Sequence, residues 1–268
     1  MKALRNFSYL VLLLIISACG EPMAGEAQSP AAASREYYQL KTYTFATEAQ
    51  QASTDQYLKD AFLPALKKLN MGPVGVFKNR LSEEDSVRKT YLLIPFASMA
   101  DYQSLDSKLL ADATHQSAGA AYLEAAHDQA PFERIESNLL YAFEDMAQMS
   151  PTKVEGPRAK RIYELRSYES ATEDLYRRKV DMFNAGGEIA LFADLDFNAV
   201  FYAEVLAGNK MPNLMYMTTF SNMESRDAHW KSFVESPRWE TLKAMEKYQN
   251  TVSHADIMLL YPTDYSDY

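Results

Sequence analysis

Hydrophobic and polar positions alternate with a two-residue period through Tyr37–Phe45, and again through Ile162–Tyr168. Behind the first strand, Tyr57, Leu58, Phe62, Leu66 and Leu69 recur at helical spacing. That spacing predicts a helix over Asp55–Leu69, capped by Thr54 or Asp55 and interrupted at Pro64. Asn70-Met71-Gly72-Pro73 ends it, and strands are expected over Val74–Lys78 and Lys89–Phe96. An alanine-rich helical region follows over Ser98–His127, with a break near Gly119, and a strand lies within Phe132–Met146.

The second stretch repeats this order. RIYELRSY at Arg161–Tyr168 answers EYYQLKTY at Glu36–Tyr43. It leads to a helix over Glu173–Phe183 capped by Thr172, a turn at Asn184-Ala185-Gly186-Gly187 and a strand over Glu188–Phe192. A strand containing Met215–Phe220, helical segments over Arg226–Phe233 and Arg238–Tyr248 split by Pro237, and a last strand over Ser253–Tyr261 complete the copy.

The fold class is therefore α+β: two ferredoxin-like (β-α-β-β-α-β) units forming an intramolecular dimeric α/β-barrel. One such sheet covered on a single face must bury its other face, and a second copy in the same chain supplies the cover. The domains read as 36–148 for the first unit, 149–160 for a linker and 161–268 for the second.

Ahead of them, residues 1–18 read as a lipoprotein signal peptide. Lys2 and Arg5 precede an apolar run from Phe7 to Ile16, and Ile16-Ser17-Ala18-Cys19 resembles a lipobox. Cys19 is the predicted lipidation site and the chain's single cysteine, so no intramolecular disulfide can form. Residues 19–35, rich in Ala, Gly, Pro and Ser, read as a flexible tether. Gly20 follows the cysteine where an aspartate favours inner-membrane retention. The expected location is therefore the bacterial envelope, lipid-anchored in the outer membrane and facing the periplasm, with the bilayer as a partner through acylated Cys19. Loss of Lys2 and Arg5 takes the formal charge from -9 to -11. This acidic balance argues against a nucleic-acid partner, because phosphate binding needs basic patches.

The candidate chemistry clusters in the second unit. Taking Tyr163 and Leu165 as the helix-facing pair sends Glu164, Arg166 and Tyr168 into the barrel, with Glu188 and Tyr216 on the same wall. Charges on an interior face need partners, so this reads either as an ion-pair network or as a wall for an anion or carbonyl ligand. Arg226, His229, Trp230 and Trp239 form the other dense stretch. His229 has the pKa range for proton transfer, and the tryptophans suit pocket walls. The histidines show no close metal-ligand spacing, so no metal is expected. No cofactor is assigned either, an axial haem histidine being the route left open.

IYELRSY, NAGGEIALF and MPNLMYMTTFSNMESRDAHWKSFVESPRW together resemble the NIPSNAP family over Arg161 to about Asp267. The first copy resembles a diverged version, through YYQLKTY and LNMGPVGVF. That resemblance implies the same barrel of ferredoxin-like units and carries over no settled catalytic residues. Two functions are expected. One is an envelope-anchored module binding a small molecule or an envelope protein. The other is an oxygenase, isomerase or haem-linked enzyme, in which Arg166 holds an oxyanion while His229 or Glu164 moves a proton and Tyr216 orients substrate.

Overall fold

The computed structural model describes residues 34–82 and 86–268, so Cys19 and the signal segment lie outside the described residues. These described residues make one compact unit. Its first half runs β1 (Tyr37–Phe45), α1 (Glu48–Tyr57), a π-helical turn (Leu58–Phe62), α2 (Leu63–Lys68), β2 (Gly75–Asn79), β3 (Arg88–Phe96), α3 (Met99–Ala111), α4 (Ala113–Leu123) and β4 (Arg134–Ala142). The second runs β5 (Ile162–Glu169), α5 (Glu173–Phe183), α6 (Glu188–Asp194), β6 (Ala199–Ala207), β7 (Asn213–Phe220), α7 (Met223–Val234), α8 (Pro237–Ala244) and β8 (His254–Pro262).

All eight strands close into one antiparallel barrel in the order β1-β3-β2-β8-β5-β7-β6-β4. Each half contributes a ferredoxin-like sheet. The halves are stitched at two places, where Lys78 pairs with Tyr261 and where Tyr141 pairs with Glu204. Closure removes the open edges that a four-stranded sheet would leave.

The local chemistry of both halves is alike. Short polar side chains cap the helices: Thr47 accepts from the Gln50 N–H, Ser98 from Asp101, Thr172 from Leu175 and Asn222 from Ser225. The first helix starts at Glu48, earlier than its apolar spacing predicts, because Thr47 rather than Thr54 caps it. Pro64 lies inside one continuous helical run, and the irregularity precedes it as the π-helical turn, across which the Leu63 N–H reaches the Leu58 carbonyl. The break in the next helical region comes at Asp112, whose carboxylate caps α4, and not at Gly119. Gly119 instead lets α4 approach α1, since a Cβ there would meet the Tyr57 ring at 3.0 Å.

One strand assignment is overturned. Glu188–Phe192 lies in helix α6, which begins after Gly187 in the left-handed region, φ 83°. The second strand of this half is β6, eleven residues further on than predicted.

Three large apolar clusters, with a small fourth of Met182, Leu242 and Tyr248, form the core. One fills the barrel with Tyr38, Phe77, Tyr163, Leu165, Phe201 and Met217 among others. The other two lie between the barrel and the helices of each half. The central strands are thus covered on both faces, while the opening residues of β4 and β8 reach solvent. Among the described residues no helix is long and apolar enough to cross a membrane.

Candidate functional site

The outer face of β5 positions the charges. Tyr163 and Leu165 point into the barrel, so Glu164, Arg166 and Tyr168 face the helices of the second half, the reverse of the expected phase. Both faces of β5 are buried, and alternation alone does not say which is which.

Glu164 is fully buried. Its Oε1 accepts from Arg166 Nε at 2.6 Å and Arg226 Nη2 at 3.3 Å, and its Oε2 accepts from Arg226 Nε at 2.6 Å and Trp230 Nε1 at 3.0 Å. Four hydrogen bonds from charged and indole donors thus surround one buried carboxylate. Arg166 also lies over the Trp230 ring, its Cζ 3.6 Å from the centroid. Its Nη1 donates to the Tyr168 hydroxyl at 2.8 Å, and that hydroxyl lies 2.8 Å from the hydroxyl of Tyr216. Burial alone would ease the proton off Arg166, but the neighbouring Tyr216, Tyr168 and Glu164 outweigh it and hold the guanidinium charged. Burial, reinforced by Tyr168, pushes Tyr216 well above the ordinary tyrosine range. Arg226 is held charged chiefly by its hydrogen bond to Glu164.

A second buried pair sits beneath α6. Lys179 Nζ donates to Glu188 Oε2 at 2.7 Å, and the two side chains are 5% and 3% exposed. The ammonium lies 4.7 Å from the Phe183 ring centroid and 5.8 Å from that of Trp239. Trp239 packs on Phe233 at 4.6 Å between centroids, as a wall of this layer. Sequence reasoning placed Glu188 on a strand and missed Lys179. Its signal was a lysine on the buried stripe of α5, one turn ahead of Phe183.

His229 stands apart from this network. Its Nδ1 donates to the Ser225 carbonyl at 2.6 Å, and its ring meets Phe197 and Phe220 edge to face. Glu164, Arg166, Tyr168, Tyr216, Arg226 and Trp230 come together; Glu188 and Trp239 meet at Lys179; His229 joins neither group. The arrangement holds charge in place and leaves Glu164 with no lone pair directed at an open space.

Concave surface lies elsewhere. A groove of about 720 Å³ opens where the halves join, between Asp55, Lys59, Lys78, Arg158, Tyr261 and Tyr265. A polar cavity of about 340 Å³ occupies one mouth of the barrel, with Ser167, Lys210, Asn213 and Asp256 in its lining. Beside it Glu169, His254 and Asp256 bring three potential metal-ligand atoms within 4.8 Å of one another. Their separation along the chain hid this grouping, which arises from the β5–β8 register that sets Glu169 opposite His254.

Comparison with known structures agrees with this architecture. A candidate monooxygenase from Fusobacterium nucleatum superposes with a TM-score of 0.54 at 9% identity, covering 85% of this chain and 93% of that one. Another, from Lactobacillus acidophilus, gives 0.52 at 13% identity over 85% and 94%. At such identities the likeness is one of fold. A NIPSNAP family protein from Agrobacterium tumefaciens is 19% identical over 44% of this chain and 98% of its own, with a TM-score of 0.36. Among curated proteins none matches the sequence. The NIPSNAP family profile matches residues 163–267, the half that holds the Glu164 network, and the chain therefore carries a NIPSNAP-family domain as the second unit of its barrel.

Proposed function

We propose that this protein is a binding module held on the bacterial cell envelope by an acylated Cys19, facing the periplasm from the outer membrane. Its ligand is a small, partly apolar molecule taken into the groove where the two halves join. The observation that favours binding over catalysis is the saturation of Glu164 by Arg166, Arg226 and Trp230, which leaves the best-placed acid of the NIPSNAP half engaged in holding the fold. An enzyme working at the centre of the barrel would need a void there, and below the cavity at its mouth that space is packed with Tyr38, Phe77, Tyr163 and Phe201. The groove has the size of a ligand site, ~300–1,000 Å³. Tyr261, Pro262 and Tyr265 offer it apolar surface, and the Lys59–Asp264 and Lys78–Asp55 pairs stand beside them.

Native mass spectrometry on protein purified gently from its own host tests this. A small molecule should travel with the chain, be lost on Tyr261→Ala together with Lys59→Glu, and survive Arg226→Ala. An empty protein, with no shift in thermal melting across a metabolite and haem panel, would overturn the small-ligand reading and leave an envelope protein as the partner to seek.

A further inference from the structure

We propose that the mouth of the barrel built by Glu169, His254 and Asp256 is a binding site for a divalent first-row transition-metal ion of the zinc class, for which Lys210 is the built-in competitor. Glu169 ends β5 and is paired directly with His254, which opens β8; Asp256 follows two residues later and so lies on the same face. These positions continue the inward phase of Leu165, Ser167 and Met258, so all three side chains line the rim of the barrel. One imidazole nitrogen and two carboxylates form a donor set that suits zinc and cobalt better than magnesium or calcium, which favour oxygen alone. The His254 Nε2 to Asp256 Oδ1 distance of 3.1 Å is close to the separation of neighbouring ligands around a tetrahedral ion. Paired strands hold two of the three ligands in register, which limits the rearrangement needed to close the set.

Lys210 occupies the charge of this site. Its ammonium pairs with Asp256 and stands 3.6 Å from Glu169 Oε1. The side chain is nevertheless half exposed and comes from the β6–β7 turn rather than from a strand, so it can swing into solvent when a dication arrives. Three protein ligands leave further coordination positions, as in open metal sites. Asp256 and Lys210 belong both to this cluster and to the polar cavity of about 340 Å³, where Ser167 and Asn213 are hydrogen-bonded to each other. A small anion in that cavity would complete the coordination. This inference does not depend on the groove at the other end of β8.

The test uses untagged full-length protein in detergent, stripped with a chelator and titrated with Co²⁺ by visible absorption and with Zn²⁺ by calorimetry. One ion per chain is expected. Lys210→Met should tighten binding at least tenfold, and His254→Ala and Asp256→Asn should each weaken it at least tenfold with unchanged melting of the metal-free protein. Binding that ignores all three substitutions would overturn the site. So would the absence of binding in both the native protein and Lys210→Met at millimolar metal.

Discussion

The two halves of the barrel share a topology and differ in what they bury between sheet and helices. At matching register, Glu164, Arg166 and Tyr216 of the second half correspond to Gln39, Lys41 and Leu92 of the first. Gln39 needs only the Ser137 hydroxyl, to which it donates at 2.9 Å. Among the described residues Lys41 forms no ion pair, and it lies 5.8 Å from the Phe62 ring centroid; burial lowers its pKa from the ordinary 10.5, with Asp106 opposing. Both halves hold this layer together by apolar packing, and the second adds closed charge networks. The sheet topology itself does not require the charges, since the first half forms the same sheet without them.

The sharpest way to break this comparison is to open a network. Lys179→Met leaves Glu188 buried without its cation and should cost ~3–5 kcal/mol in urea unfolding, while adding Glu188→Leu should restore most of it. A loss under ~1 kcal/mol would mean that the pair is dispensable as an ion pair.

The turns after the first helices offer a smaller contrast. A Cβ on Gly186 would lie 2.5 Å from the Met182 carbonyl oxygen and 2.8 Å from its Cα, whereas one on Gly72 would meet nothing closer than 3.6 Å. Gly186→Ala should therefore destabilise by ~1–3 kcal/mol through crowding, and Gly72→Ala should fall within ~0.5 kcal/mol of the parent. Equal effects would show that the two turns are not distinguished by packing.

The smallest effect is expected at Lys41. A cation whose folded pKa lies below its unfolded value destabilises the fold at low pH, and stability recovers as pH rises through the folded pKa towards 10.5. Lys41→Met should change stability near neutral pH by less than ~1 kcal/mol, on the stabilising side. It should also remove that alkaline rise relative to the parent, read as the difference between two pH–melting curves. A clear loss of stability would show that the amine has a partner after all.

Much of this architecture was legible in the residues. The echo of EYYQLKTY in RIYELRSY, with Asn-Xaa-Gly turns at matching places, announced two copies, and two bare sheets with one chain between them implied the barrel. Thr172 could be read as a cap because a hydroxyl before an amphipathic run has a local task. The error at Glu188–Phe192 is also local in origin. A short apolar run, here Ile189–Phe192 behind Glu188, fits either a strand or a short helix, and the choice fell to Gly187 and to packing of Phe192 against Phe197 and Phe233.

Periodicity and repetition settle most of the strands, how many units there are and which residues share a face, because these depend on neighbours a few positions away. They leave open which face of β5 looks inward, since the barrel covers one side and the helices the other and both reward burial. Closure of the barrel sent Glu164 and Arg166 towards α7 and brought Glu169 beside His254 and Asp256 at one rim, while docking of α6 against α5 joined Lys179 to Glu188. Apart from that last pair, these contacts join residues far apart in the chain, and strand register and helix docking decide them.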